Sequence, residues 1–393
     1  MTRLLKSPLD ENHSKARHLL AFLCFGVLCT TLTLGLWPFH SPRNGVAWIP
    51  NRNGLRFGRY STVLSSGPLR VTSSEDTPGA SLEIWLQPNR IWDSGTLLAF
   101  YSPKTRSGFS LRQDQTDLSL KVVTEGEHRH PSTESLRIKD VFRRLPPSYI
   151  TSAPSFITIT SDGSGVSIYV DGALASSAPA FTLFTNDFKG RFVLGDSPGQ
   201  PDSWKGRLFG LAIYGWRLEK AEVLHNYAIW KQNGRPELPQ DERNLALYLF
   251  DERKGNVVLD KAHSGVNLYI PEKYEVMEKF VLEPFWAEFT MSRSYWRAAL
   301  KNIVGFIPFG MSFCAYFSIV RPARRATLLT VVLGLSVSLT IEVLQAFLPN
   351  RDSGTSDLIT NTLGTWLGAV SFRLLMPALA QMFPKANLFA SHR

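Results

Sequence analysis

Residues 342–361 read EVLQAFLPNRDSGTSDLITN. The stretch leaves one apolar run, 326–348 (ATLLTVVLGLSVSLTIEVLQAFL), and enters another, 358–372 (LITNTLGTWLGAVSF), which continues toward Phe383. At ~1.5 Å of rise per residue, such runs suit a hydrocarbon core ~30 Å thick. The quoted stretch therefore predicts the end of one span, a short loop over 349–357 and the start of the next span. Glu342 and Gln345 share a helix face, which Gly334 and Ser338 continue upstream. A small-and-polar seam on a helix of Leu, Val and Ile predicts a face packed on other helices rather than on lipid. Glu342 sits ~10 Å inside the helix end, where a carboxylate needs a partner or access to water. Arg351 and Asp352 lie in the loop, and Asp357 is placed as the cap of the next helix. Asp357, Asn361, Gly364 and Gly368 fall on one face, and Gly364 and Gly368 permit close helix contact.

A third C-terminal run, 302–320 (NIVGFIPFGMSFCAYFSIV), puts Asn302 and Gly305 on one face, with Pro308 and Gly310 loosening the backbone. Three helices thus bring polar groups to one depth. Three readings stay open. Glu342, Arg351 and Asp357 form an ion network that fixes helix register; or the cluster binds a lipid-linked or envelope glycan; or Glu342 or Asp357 serves as a general base. No nucleophile stands beside a base, because Cys314 is alone and no His of this region precedes His392. No catalytic residue is therefore assigned. Transport wants a pair of broken helices, and none is evident.

The N-terminal run HLLAFLCFGVLCTTLTLGLW, 18–37, is longer than the apolar part of a signal peptide and reads as a retained anchor. Charge sets the expected direction. The tail 1–17 holds four Lys/Arg against two acids, and 293–393 holds ten against three, leaving the middle nearly neutral. Loop 321–325 (RPARR) and the tail after the last helix are basic, so both termini are expected in the cytoplasm. Arg293, Arg297 and Lys301 run against that count. The basicity thus belongs to membrane flanks, and nucleic acid, which wants a basic stripe on a folded domain, is not an expected partner.

Between these regions the period changes to two. SLEIWLQP (81–88) sets Leu82, Ile84 and Leu86 against Ser81, Glu83 and Trp85. FITITSDGSGVSIYVDGALAS (156–176) is alternating strand broken by Asp162-Gly163 and Asp171-Gly172, which are hairpin turns. GRFVLGD and RLFGLAIYGW add strands, and EKAEVLHNYAIWK (219–231) predicts a satellite helix. This predicts an all-β sandwich with no disulfide framework, since Cys24, Cys29 and Cys314 all lie in apolar runs. Trp85, Trp92, Trp204 and Trp216 are candidate sugar-stacking rings, though core packing explains them too. Asp196 and Asp202 flank SPGQP and suit either a loop site or turn chemistry. His128 and His130 of EHRH read as a solvated loop rather than a metal site. A glycosidase would need two carboxylates about 5–9 Å apart, and no strand offers that spacing.

FITITSDGSGVSIYVDGALAS, GRFVLGDSPGQPDSWKGRLFGLAIYGWRLEKAEV and LYLFDERKGNVVLDKAHSGVNLYIP together resemble the laminin-G or concanavalin A-like lectin fold. The LFDERKG piece, which often opens such domains, comes late, so either the strand order is permuted or a last strand is added. NIVGFIPFG (302–310), EVLQAFLPNR (342–351) and SDLITNTLGTWLGA (356–369) resemble the VanZ-like family, as does WPFHSPRNGVAWIPNRNGLRF (37–57). That family is associated with the cell envelope and with glycopeptide-antibiotic resistance.

The expected chain is multidomain: a four-transmembrane α-helical bundle of VanZ-like type plus an all-β jelly-roll sandwich of concanavalin A-like type. Its expected parts are a cytoplasmic tail (1–17), a first span (18–37), an extracytoplasmic sandwich with linkers (38–291), a bundle (292–384) with spans near 302–320, 326–348 and 358–380, and a tail (385–393). The expected ligand cluster is Asn302, Glu342, Gln345, Arg351, Asp352, Asp357 and Asn361, with helix packing at Gly305, Gly364 and Gly368. The resemblances imply membrane lipid and an envelope or lipid-linked glycan as partners in the cytoplasmic membrane. A docking role toward another membrane protein and an intramembrane enzyme on a lipid-linked precursor are the alternatives. No cofactor is expected, with calcium in the sandwich left open.

Overall fold

The computed structural model describes residues 8–71, 79–101, 108–125, 131–143, 153–199, 201–234, 244–262, 264–289, 293–319, 321–349 and 351–382. The EHRH loop lies outside the described residues. The chain divides into a helical unit, Met1–His40 with Phe280–Arg393, and a β unit, Ser41–Lys279.

The β unit is two antiparallel sheets. One holds β1 (Ala47–Trp48), β2 (Leu55–Phe57), β4 (Ala80–Pro88), β9 (Ser155–Asp162), β10 (Gly165–Val170), β11 (Ala173–Ala178), β13 (Gly206–Tyr214) and β14 (Asn244–Tyr248), in the order β1-β2-β13-β4-β9-β10-β11 with β14 on β13. The other holds β3 (Val63–Ser65), β5 (Ser94–Tyr101), β6 (Gly108–Asp114), β7 (Asp117–Glu125), β8 (Pro131–Ile138), β12 (Arg191–Leu194), β15 (Val257–Val258) and β16 (Leu268–Tyr269), in the order β15-β16-β3-β12-β5-β6-β7-β8. Between them lies one apolar core that includes Leu82, Ile84, Leu86, Phe100, Phe109, Ile159, Ile168, Phe192 and Leu211. The period-two pattern follows from this: alternate residues of each strand face that core. The Asp171-Gly172 turn joins β10 and β11, with both residues at positive φ (51° and 78°).

The late segment around LFDERKG is built into both sheets, with Tyr248 and Phe250 in the core. β14 shares the β13 edge with β2, pairing Leu211–Tyr214 where β2 pairs Gly206–Leu208, and β15–β16 extends the second sheet from β3. The satellite helix α2 (Lys220–Asn233) lies on the outer face of the first sheet, with Val223 and Trp230 packed against Phe156, Tyr169, Ala212 and Tyr214. This buries the side of β4 that alternation alone assigns to solvent, and Glu83 is 0% exposed.

The helical unit contains α1 (Pro8–Leu36), the short α3 (Phe285–Glu288), α4 (Arg293–Ser318), α5 (Ala323–Gln345) and α6 (Thr355–Met382). Helices outrun the apolar segments that announce them: α1 begins well before residue 18, and α4 begins at Arg293 rather than near 302. Pro308 sits within an unbroken α4. Among the described residues, three helical segments are long and apolar enough to cross a membrane: Arg17–Leu36, Tyr295–Ser318 and Ala323–Gln345. The four-span expectation is therefore met for three of its members.

Packing in this unit is inverted relative to a soluble bundle. α5 buries Ala326, Thr330, Gly334, Ser338, Ile341, Glu342 and Gln345, while Leu328, Val332, Leu335, Leu339 and Val343 face outward. Small and polar residues inside with apolar residues outside is the arrangement that lipid solvates. α4 and α6 run in the same direction in close contact. A Cβ on Gly364 would meet the carbonyl oxygen of Ile303, one on Gly368 that of Ile307, and one on Gly310 that of Thr365.

Candidate binding site in the helical unit

The end of α1, the end of α5 and the start of α6 converge, and each leaves backbone groups without helical partners. The sequence supplies those partners. Glu342 Oε2 accepts a hydrogen bond from Gly354 N at 3.0 Å, and Glu288 Oε2 accepts one from Ser356 N at 2.9 Å. Two carboxylates thus meet the positive end of α6, where the helix dipole favours them. At the end of α1, Gln345 Nε2 donates to Gly35 O at 2.8 Å, and Arg351 Nε donates to Trp37 O at 3.0 Å. In the second turn of α6, Asn361 Nδ2 donates to Ser338 Oγ at 2.9 Å. The segment before α4 is stitched to the same place: Glu283 N donates to Ser353 O, and Thr355 N donates to Glu283 O.

Two expectations change. Asp357 is not the cap of α6, which begins at Thr355 and places Asp357 in its first turn; carboxylates from elsewhere in the chain do the capping. Arg351, in one of the three readings a member of an ion network, donates to the carbonyl end of α1, so side chain–backbone bonds also tie these helix ends together.

Beside these helix ends is a cavity of about 740 Å³. Its polar wall is Asn302, Glu342, Gln345, Arg351, Asp357 and Asn361, with Lys301. Six of the seven residues expected to cluster therefore share one cavity. Asp352 is the exception: it is exposed in the loop and does not line the wall. Gly305 departs from the packing role expected of it, since a Cβ there would meet nothing within 4 Å and the residue lines the cavity instead. Gly364 and Gly368 do sit at a helix contact. The cavity continues along α1 past Thr31, Val27 and Leu23 to Phe22, with Phe306 opposite. Phe22 lies ~20 Å below the end of α1 by helical rise, so the cavity is polar at one end and apolar at the other. Phe22 and Gly26 are exposed, which leaves it open sideways at α1.

Glu288, Lys301 and the α1 wall are not legible as site residues in the sequence. Glu288 gives one available signal: it stands in an aromatic run of Phe285, Trp286, Phe289, Tyr295 and Trp296, whose rings pack edge to face. Phe285, Trp286 and Trp296 are 49%, 72% and 54% exposed, a pattern favoured at a membrane–water interface.

In the β unit the proposed sugar-stacking rings are mostly structural. Trp204 is buried, with Nε1 donating to Gln113 Oε1 at 2.7 Å. Trp85 and Trp216 pack with the cluster beneath α2, and Trp92 is exposed. Asp196 accepts from Ser197 N, Asp202 N, Ser203 Oγ and Tyr274 Oη. Asp202 accepts from Thr96 Oγ1 and the Arg112 guanidinium. Both therefore knit the SPGQP turn together. Burial pushes Asp196 up to about 6 despite those donors. Glu83 is pushed to about 7 by burial, against the opposing effect of Tyr214 Oη, Asn226 Nδ2 and Trp230 Nε1, which donate at 2.7, 3.0 and 3.2 Å. Among the described residues no group of three or more His, Cys, Asp or Glu side chains is placed to hold a metal ion.

These two units define a membrane protein that carries a lectin-like sandwich. The VanZ/LLP1 family model matches residues 246–376, and that of the concanavalin A-like lectin/glucanases superfamily matches 57–224. The chain thus carries a VanZ/LLP1 domain and a concanavalin A-like domain. The VanZ/LLP1 match reaches back over β14–β16, which the structure places in the sandwich. Among solved structures the chain is similar to a candidate carbohydrate-binding protein from Bacteroides ovatus ATCC 8483, at 12% identity and TM-score 0.35, covering 58% of each chain. It is also similar to the receptor-binding domain of botulinum neurotoxin D, at 13% identity and TM-score 0.33, covering 60% of each. The chain spans about three-fifths of those structures, and at these values they say nothing of what it binds. No curated protein matches the chain.

Proposed function

We propose that this protein is a glycan-binding protein of the cell envelope that holds a lipid-linked sugar in its helical cavity. In this reading α6 is the fourth span, both termini are cytoplasmic, and the polar end of the cavity and the sandwich face outward. The observation that carries it is the two-ended cavity. A lipid chain suits Phe22, Leu23, Val27 and Phe306, and enters sideways past Gly26. The head group meets Asn302, Glu342, Asp357 and Asn361. Those side chains are mainly hydrogen-bond acceptors or amides; of the wall's two cations, Arg351 is engaged with α1 and Lys301 faces the two carboxylates Glu342 and Asp357. Such a wall suits a hydroxyl-rich sugar better than a bare phosphate, because each hydroxyl donates as well as accepts. The cavity also falls in the size range of small-molecule sites, about 300–1,000 Å³.

The test is native mass spectrometry of the full chain in mild detergent, wild type against Gly305→Leu. The new side chain fills open space, so the fold is expected to persist while the cavity is blocked. A glycosylated lipid should travel with the wild type and be lost from the variant. A wild type that carries no glycosylated lipid, or a variant that carries as much, rejects the reading.

A further inference from the structure

A second recognition site is written across the outer face of the first sheet. β2, β13 and β4 are adjacent there, and the register sets Arg207 directly opposite Arg56 on one side and Gln87 on the other. Like charges facing each other across strands oppose pairing. Gln87 eases this only in part, accepting from Arg207 Nη1 at 3.3 Å through Oε1. Lys205 adds a third cation beside them. The three line a concavity of about 460 Å³ with Gln87, Asn89, Gly45, Gly58 and Gly206, and no acidic side chain lines it. Several arginines of the β unit are matched, Arg112 with Asp202, Arg137 with Asp117, Arg217 with Asp162, and Arg52 over the Phe209 ring at 4.1 Å. Among the described residues, Arg56, Lys205 and Arg207 meet no carboxylate.

The geometry points to an anion-binding site in which Arg56, Lys205 and Arg207 hold the oxyanions of an acidic polysaccharide. Guanidinium forks suit carboxylate and phosphate by paired hydrogen bonds, and an anion between Arg56 and Arg207 relieves their repulsion. A nucleic acid would need a longer basic stripe to follow many phosphates. An anionic lipid surface wants a spread of basic residues, whereas these three converge on a cleft. The site is separate from the helical cavity. The inference rests on the reading of this chain as a glycan-binding protein of the cell envelope, extends it to the sandwich and names a class of glycan.

The test uses the full chain in nanodiscs of phosphatidylcholine, with fluorescent oligogalacturonate as the acidic probe and a dextran of equal length as the neutral one. Oligogalacturonate should bind at low salt, weaken as salt rises, and raise the unfolding temperature. Arg56→Gln and Arg207→Gln should each weaken it about tenfold, the loss expected for a charged hydrogen-bonded contact. Neither variant should unfold sooner than wild type without ligand, because each removes a like-charge pair; that comparison separates lost binding from lost fold. The inference is overturned if oligogalacturonate does not bind, if both variants bind it as wild type does, or if phosphatidylglycerol vesicles out-compete it through the same arginines. The sugar-lipid reading fails separately, by loss of the co-purified lipid from wild type.

Discussion

Glu83 gives a pH dependence that can be worked out in advance. Its carboxylate lies between β4 and α2, fully buried, with Tyr214, Asn226 and Trp230 donating to it. Burial raises it from 4.5 to about 7. The sign follows from proton counts. Between those values the folded chain holds a proton that the unfolded chain has lost, so stability falls as pH rises through the window. At ~1.4 kcal/mol per tenfold change, the whole effect is about 3 kcal/mol. Glu83→Gln should abolish it. The amide keeps an acceptor for Tyr214 and Trp230, and a half-turn of the Asn226 amide gives its new N–H an acceptor. The readout is amide hydrogen exchange in α2 of the full chain, compared between wild type and variant at each pH from 5 to 8. Comparison at matched pH cancels intrinsic exchange. Local opening is the right quantity, because a chain of two units has no single unfolding free energy. Protection of wild-type α2 should drop about a hundredfold relative to the variant across that range. A ratio that stays flat with pH would refute the reasoning, since it would mean that the buried carboxyl does not titrate with the docking of α2.

Three further outcomes are expected. Gly364→Val drives a side chain into the Ile303 carbonyl and should cost about 2 kcal/mol or more; in detergent, maleimide labelling of the buried Cys314 should rise above that of wild type. Tyr274→Phe removes a donor to Asp196, so the Asp196 carboxyl should titrate above about 6 and the SPGQP turn should open more readily, by about 1–2 kcal/mol; exchange at Ser197 and Asp202 N–H, which Asp196 holds, reports both. Glu342→Gln retains an acceptor for Gly354 N and should accumulate in the membrane like wild type, whereas Glu342→Leu leaves that N–H buried and unpaired and should accumulate poorly; equal levels of the two would deny Glu342 its capping role.

The sandwich was legible because its signals are local. Alternation along 81–88 and the Asp-Gly turns at 162–163 and 171–172 act within a few residues. So was the inward seam of Glu342, Gln345, Gly334 and Ser338, because helical spacing alone puts them on one face. What spacing cannot supply is the partner. Glu83 and Trp85 alternate as solvent-facing residues, yet α2, more than 130 positions away, covers them. Arg351 looks like the natural counter-ion for Glu342, but the carbonyls of α1 lie over 300 residues distant in sequence and take it first. Gly305 carries the spacing of a packing glycine and faces open space. Glu288 precedes the apolar run, where the aromatic residues around it mark an interface but not a residue that will cap a later helix.

Helix ends explain why charge is found in this cluster. In water, the free N–H groups of α6 and the free carbonyls of α1 would be solvated. Where they are buried, each group left without a partner is costly. The convergence of those ends beside α5 therefore demands acceptors for one and donors for the other, which Glu342, Glu288, Gln345 and Arg351 supply. Capping does not account for every polar group there. Asp357 faces the cavity from the first turn of α6, Lys301 stands on the same wall, and Asn361 is 5% exposed with its Oδ1 lacking a hydrogen-bond partner among the described residues. An acceptor buried without a donor is costly, and a sugar hydroxyl in the cavity would supply that donor. Structural and ligand roles thus fall to different members of one cluster. Asn361→Leu separates them: it removes the unpaired acceptor while Glu342, Gln345 and Arg351 keep the helix ends capped. It should leave accumulation near wild type and reduce the co-purified glycosylated lipid, whereas loss of accumulation with no change in lipid per protein would assign Asn361 to the scaffold.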